Sequence, residues 1–319
     1  MRASPLTYAS LVLTAFFWGS AFNVGAHVIA GMSPISAGAE RFLLASAMLL
    51  ALLAFTRRLD WRLARGHLPA LTAVGVLGVA GFNLAMFFGL RSTTPVNAAL
   101  LMATTPLWTL LLSVLLEGER INRWRAAGLA SGLLGVVLVV SGGNPARLAQ
   151  LHLARGDAIV MGGALSWALA TVISRRYLGK LDAQQTTTWS IVLGTGVLLL
   201  LGLWREQPLA AMSHASASVH WGIFYLALCS SVLGYLFWFS ATRRLGAANT
   251  ASFFNLVPVF TMLVALIGGQ IPQVGQLAGV AAVIGGVVLA SKGRDSSFGI
   301  RDSQKRCSGS CESPITNHQ

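Results

Sequence analysis

Charged residues are scarce in this sequence. Asp, Glu, Lys and Arg make up 10% of its 319 residues, where a soluble domain carries about a quarter. Acids are scarcer than bases, ten against 23. So few charges cannot coat a water-soluble fold. Cysteine is also rare, with three in all, which excludes a disulfide scaffold. Cys229 lies in an apolar run and reads as packing, while Cys307 and Cys311 form a lone CxxxC pair that is weak as a metal site. The enzyme motifs are missing too. There is no GxxxxGK[ST] to cradle a nucleotide phosphate, no HExxH for zinc and no GxSxG nucleophile turn. Alternation of strand length is absent, which argues against a β-barrel.

Long apolar runs are plentiful. The chain is 55% hydrophobic with a mean hydropathy of +0.67. About 20 residues at ~1.5 Å each cross the ~30 Å of a bilayer. Ten runs meet that length: Leu6–Ile29, Ser33–Phe55, Leu68–Leu90, Pro95–Leu116, Trp124–Ser141, Asp157–Leu178, Asp182–Leu203, His220–Ala241, Ala247–Gly269 and Val274–Ser291. The first follows Arg2 but is too long for a signal-peptide core, so it reads as a retained span. The residues after Ser291 are polar and Ser-rich and read as a disordered tail.

The net charge of +13 invites a nucleic-acid reading. The positive-inside rule explains it better. With the N-terminus inside, eighteen of the 23 bases fall in cytoplasmic segments, among them Arg57, Arg58, Arg62, Arg65, Arg175, Arg176, Arg243 and Arg244. Only Arg91, Arg147, Arg155 and Arg205 fall outside. That asymmetry predicts both termini in the cytoplasm and needs no nucleic-acid partner.

The chain also repeats itself. NAALLMATTPLWTLLLSVLL starts at Asn97, and NTASFFNLVPVFTMLVALIG starts at Asn249. Asn97 matches Asn249, Pro106 matches Pro258, Thr109 matches Thr261 and, at the same offset, Arg91 matches Arg243. Trp18 in AFFWGSAF matches Trp167 in ALSWALAT. Spans one to five thus correspond to spans six to ten. Five is odd, so the halves run antiparallel, the arrangement of transporters that rock two similar bundles about a midplane site.

Each proline leaves a carbonyl without its helix donor, that of Met102 for Pro106 and that of Phe254 for Pro258. In lipid such a group needs another partner. Thr104 and Thr105 stand nearby with hydroxyls. Spans four and nine are therefore expected to kink and to face protein, water or substrate.

Few polar groups lie at membrane depth. Trp18, Trp167 and Trp108 sit at span centres, where an aromatic belt does not account for them. Phe22 shares a face with Trp18, and Ser231 shares one with Tyr235. With Asn83, Ser166 and Asn255 these are the candidate substrate-binding residues. Arg41 lies about 12 Å into span two and must face protein or water, in a gating or structural role. Glu40 points about 100° away from it and cannot simply pair with it. Glu40 and His27 are the candidates for proton coupling, whereas His152, His214 and His220 read as surface histidines. No catalytic set, metal site or cofactor is expected.

FFWGSAF with ERFLLA behind it, then NAALLMATTPLWTLLLSVLLEGER and WRAAGLASGLLGVVLV, resembles one EamA repeat of the drug/metabolite transporter superfamily. ALSWALAT, TASFFNLVPVFTMLVALIGGQ and QLAGVAAVIGGVVL resemble the second. The resemblance implies an all-α integral membrane protein of ten transmembrane helices in two inverted five-helix repeats. The repeats would span residues 6–141 and 157–291, joined by a loop at 142–156 and followed by a tail at 292–319. It further implies an exporter of small organic solutes in a bacterial inner membrane, amino acids first, with YddG-type aromatic amino-acid exporters fitting the central tryptophans. A multidrug or sugar- or nucleotide-conjugate carrier is the alternative; a membrane-embedded enzyme or sensor is a distant one. The partners implied are a small-molecule substrate and the lipid bilayer, with the protein a monomer or homodimer. Arg41 corresponds to the family's span-two arginine and Glu119 to the acid ending span four, whose second-copy counterpart is Gln270.

Overall fold

The structure is a computed structural model that describes residues 5–57, 60–117, 123–140 and 155–269, with fragments at 277–278, 281–282 and 285. Most of the 142–156 loop, most of the tenth span, the tail, Glu119, Gln270, Cys307 and Cys311 lie outside the described residues. The described residues form helices and connections, with no strand among them.

The helices are α1 Pro5–Gly31, α2 Pro34–Phe55, α3 Trp61–Gly66, α4 Leu68–Gly89, α5 Pro95–Leu116, α6 Arg123–Val140, α7 Arg155–Leu178, α8 Ala183–Arg205, α9 Pro208–His214, α10 Ala217–Leu245 and α11 Asn249–Ile267. Eight of these are long and apolar enough to cross a bilayer: α1, α2, α4, α5, α7, α8, α10 and α11. The short helices α3 and α9 were not expected from the sequence. Several helices begin with the chemistry that satisfies free N–H groups. Asp60, Thr94 and Asp182 accept from the backbone of Leu63, Asn97 and Gln185, and prolines open α2, α5 and α9.

The interior is an apolar core that also holds many hydroxyls, and the outer faces are apolar too. Large apolar groups such as Leu115, Leu200 and Ile267 point outward, while Thr186, Thr187, Thr188, Ser190 and Thr195 of α8 are buried. Lipid solvates the outward apolar faces, and small residues let the helices approach closely within the core.

Contacts between helix ends fix the direction of each helix. At one end Thr7 meets Arg244, Thr56 meets Gln184, and Arg176 bonds the Leu116 carbonyl. This basic end also carries Arg57, Arg175 and Arg243. At the opposite end Ser33 and Ser36 meet Glu206, and Gly31 lies against Val219. So α1 starts at the basic end and α7, its counterpart, starts at the opposite one. The two halves are inverted.

They are also interleaved. α1 packs on α10 and α11 of the second half, while α7 packs on α4 and α5 of the first. Three pairs of equivalent residues touch each other. Trp18 and Trp167 stand ring against ring at 5.1 Å, Ser46 and Thr195 share a hydrogen bond of 2.9 Å, and Asn83 donates to Tyr235 at 3.1 Å. A residue that meets its own counterpart lies on the pseudo-twofold axis, so these pairs trace that axis through the bundle.

The proline sites break their helices as expected, by two different means. In α5 the turn at Ala103–Thr104 interrupts the helix, and Thr105 Oγ1 donates to the Met102 carbonyl at 2.6 Å. In α11 residues Ser252–Leu256 tighten into a 3-10 turn, and the Val257 N–H takes up the Phe254 carbonyl. The sequence gave no warning of two π-helical stretches, Gly75–Gly81 in α4 and Leu226–Leu233 in α10, which occupy equivalent places in the halves.

Candidate functional site

The two π-helical stretches loosen the backbone beside the axis, and side chains use the carbonyls this exposes. Tyr235 Oη donates to the Gly78 carbonyl at 2.8 Å, and Trp18 Nε1 donates to the Ser230 carbonyl at 3.0 Å. Gly78 and Ser230 are equivalent positions. Ser166 Oγ donates to the Leu77 carbonyl at 2.8 Å, one residue away. Each half thus anchors its partner's backbone through a core side chain.

Arg41 enters this centre from α2. Its Nε donates to Ser231 Oγ and its Nη1 to Asn83 Oδ1, both at 2.9 Å. Asn83 passes the network on through Nδ2 to the Val79 carbonyl and to Tyr235 Oη. All four side chains are fully buried. Every partner of the guanidinium is neutral, and among the described residues no carboxylate lies within ion-pair distance of it. The counterpart of Arg41 in the second half is Ser190, so the axis carries charge on one side only.

Beside this network lies an aromatic cluster. Trp18 stacks on Phe254 at 5.0 Å and meets Trp238 at 5.1 Å. Trp167 meets Phe82 at 4.9 Å and Tyr235 at 5.0 Å. Tyr235 joins the two parts, with its ring among the indoles and its hydroxyl in the Arg41 network. Polar atoms sealed without a partner include the indole N–H groups of Trp167 and Trp238 in this cluster, Oδ1 of Asn255 next to Phe254 and, beyond the ring contacts, the indole N–H of Trp108.

The structure brings Trp18, Trp167, Tyr235, Asn83 and Ser231 together with Arg41. Phe22 is buried in the same core but makes no ring contact with Trp18 among those observed. Trp108 is half-buried beyond the ring cluster. Asn255 follows Phe254 in the 3-10 turn before Pro258. Sequence reasoning missed Trp238 and Phe254. Trp238 lies three residues after Tyr235, on the face already occupied by Ser231 and Tyr235, and that spacing was the available signal.

The proton-coupling candidates separate. His27 is exposed on α1, lining a groove of about 490 Å³ with Asn23, Pro95, Gly222 and Gly268. Glu40 turns from Arg41, as expected, and meets His220 at 2.7 Å. His220 is part-exposed, and its ring is also tied to both α2 and α9, through a pairing distant in sequence that only the fold creates. At the basic end Arg175, Ser240, Thr242, Arg243 and Arg244 line a second cavity of about 390 Å³. Among the described residues no group of three or more His, Cys, Asp or Glu side chains could hold a metal ion.

Two interleaved, inverted halves with apolar outer faces and a polar, aromatic axis define a multi-pass membrane protein. The profile of the EamA-like transporter family matches residues 6–141 and 154–292, and the chain belongs to that family. It is an EamA-type transporter. The chain is 34% identical to the uncharacterized transporter YyaM of Bacillus subtilis, over 89% of its own length and 93% of that protein. It is 28% identical to a protein of Streptantibioticus cattleyicolor named a probable terminal-alkyne amino-acid exporter, over 92% and 95%. A crystal structure superimposes with a TM-score of 0.68 over 88% of this chain and 95% of that one, at 19% identity, a likeness of fold alone.

Proposed function

We propose that this transporter exports neutral amino acids, aromatic ones first, across a bacterial inner membrane by alternating access at the axial site. Both termini face the cytoplasm in this reading, and the repeats at 6–141 and 157–291 rock against each other. Pro106 and Pro258 supply the kinks about which the pore-facing halves of α5 and α11 move. The protein binds and releases its solute without chemistry.

The observation that carries this reading is Arg41. A buried guanidinium has five N–H donors, and neutral oxygens engage two of its nitrogens here. A carboxylate is its natural complement, by bidentate, charge-assisted bonds. Asn255 Oδ1 and the indole N–H groups of Trp167 and Trp238 offer further unused polar atoms, the first suited to an ammonium group. The surrounding rings suit an apolar or aromatic side chain. The exporter name carried by the Streptantibioticus cattleyicolor relative agrees with a substrate of this class.

Counterflow of labelled phenylalanine in liposomes containing the purified chain tests the reading. Unlabelled phenylalanine and tryptophan should compete. Phenethylamine, which lacks the carboxylate, should compete at least about ten-fold more weakly, the loss expected for one charge-assisted hydrogen-bonded pair. Arg41→Gln should lose flux by a similar factor. Equal competition by phenethylamine, or full flux in Arg41→Gln, would remove the carboxylate assignment. Competition by sugar or nucleotide conjugates in place of amino acids would put the conjugate-carrier reading first.

A further inference from the structure

The opposite end of the bundle holds a pair of titratable groups that the axial site does not use. His220, in the first turns of α10, sets Nδ1 2.7 Å from Glu40 Oε1 of α2 and Nε2 3.1 Å from the Met212 carbonyl of α9. A carbonyl oxygen has no proton to give, so Nε2 carries an N–H. Nδ1 then faces a carboxyl oxygen, and a bond there needs a proton on one of the two atoms. Whether it sits on Nδ1 or on Oε1, the pair holds one proton more than a neutral imidazole beside a carboxylate. Glu40 Oε2 is sealed from solvent with no donor.

The neighbouring charged groups are engaged elsewhere or face outward. Glu206, at the end of α8, is held by Ser33 and Ser36, and Arg205 stacks on Trp204. His27 of α1 and His214 of α9 are exposed. Arg41 of α2 is bonded to Asn83 and Ser231, α4 carries no titratable side chain, and Tyr225 and Cys229 lie further along α10.

We propose that Glu40 and His220 form a proton-binding site that latches α9 and α10 onto α2 at this end of the transporter. When the proton leaves, two acceptors, the Glu40 carboxylate and the Met212 carbonyl, face one N–H. The imidazole can serve only one of them, so either the α10–α2 tie or the α10–α9 tie is lost and the end loosens. This deepens the transport reading, since a latch at one gate links its opening to proton release. The latch itself depends on no particular solute.

Hydrogen–deuterium exchange of the backbone over Pro208–Ile223 tests it on the solute-free, full-length protein, with rates normalised to unstructured peptide at each pH. In the wild type, protection should fall by roughly ten-fold or more between about pH 5 and pH 9, the loss of one strong hydrogen bond. In Glu40→Gln the amide N–H donates to Nδ1 without a titrating proton, so protection should stay at its low-pH level throughout. In His220→Ala protection should be low at every pH. A wild type without pH dependence, or a Glu40→Gln protein that keeps the wild-type response, would overturn the latch. The readout involves no amino acid, so it stands or falls separately from the phenylalanine counterflow.

Discussion

Among the close contacts between the halves is a backbone crossing, and it yields a sharp prediction. α4 and α8 meet at Gly75 and Gly194. A methyl group at Gly194 would stand 2.6 Å from both the Gly75 carbonyl oxygen and Val79 Cβ. The first of those atoms is main chain and cannot rotate aside, so the two helices must separate. Overpacking of this kind costs about 1–3 kcal/mol. Two residues along the same helix, Gly196 has nothing within 4 Å of an added methyl. There Ala should stabilise by about 0.5–1 kcal/mol, through the glycine entropy it removes. The contrast between Gly194→Ala and Gly196→Ala is then about 1.5–4 kcal/mol, or roughly 3–8 °C at about 2 °C per kcal/mol for a chain of this size. Thermal melting in detergent, followed by loss of the monodisperse peak, reads it directly. Equal midpoints for the two variants would show that the crossing is not a close contact, and the interleaving of the halves would need redrawing.

Two further outcomes follow from the axis. Tyr235→Phe keeps the ring packing but strips the hydroxyl that serves the Gly78 carbonyl and Asn83, so it should cost about 1–3 kcal/mol of stability, measurable in the same melting assay; an unchanged midpoint would mean that water replaces the hydroxyl. Trp18→Ala and Trp167→Ala should each impair transport while leaving expression near normal, and wild-type flux in both would reject the aromatic cluster as part of the solute path.

Much of the fold was legible because the bilayer constrains it so heavily. Apolar length gave the spans, and the basic residues gave a common end for Arg175, Arg243 and Thr56's neighbour Arg57, which the contacts at that end reproduce. Helix α9 escaped because seven residues carry too short a pattern to separate from a loop. The π-helical stretches escaped because Gly75–Gly81 and Leu226–Leu233 share almost no composition; one is glycine-rich and the other is not. What they share is a partner for an exposed carbonyl, and that partner lies in the other half of the chain. The candidate site was half visible. Periodicity put Ser231 with Tyr235, but no spacing rule joins Arg41 to residues 42 and 190 positions away.

The sequence by itself determined that this chain lives in lipid, that it is written twice, and that the second copy is inverted. Those are properties of length, parity and composition, and each can be read from one segment at a time. Only the tertiary structure decided that Trp18 meets Trp167, that Asn83 meets Tyr235, and that Arg41 has only neutral company among the described residues. It also made His220, a surface histidine by sequence, the partner of Glu40. These are contacts across the axis between residues far apart in the chain. Local periodicity says which way a side chain points, and only the packing of both halves says what it meets there.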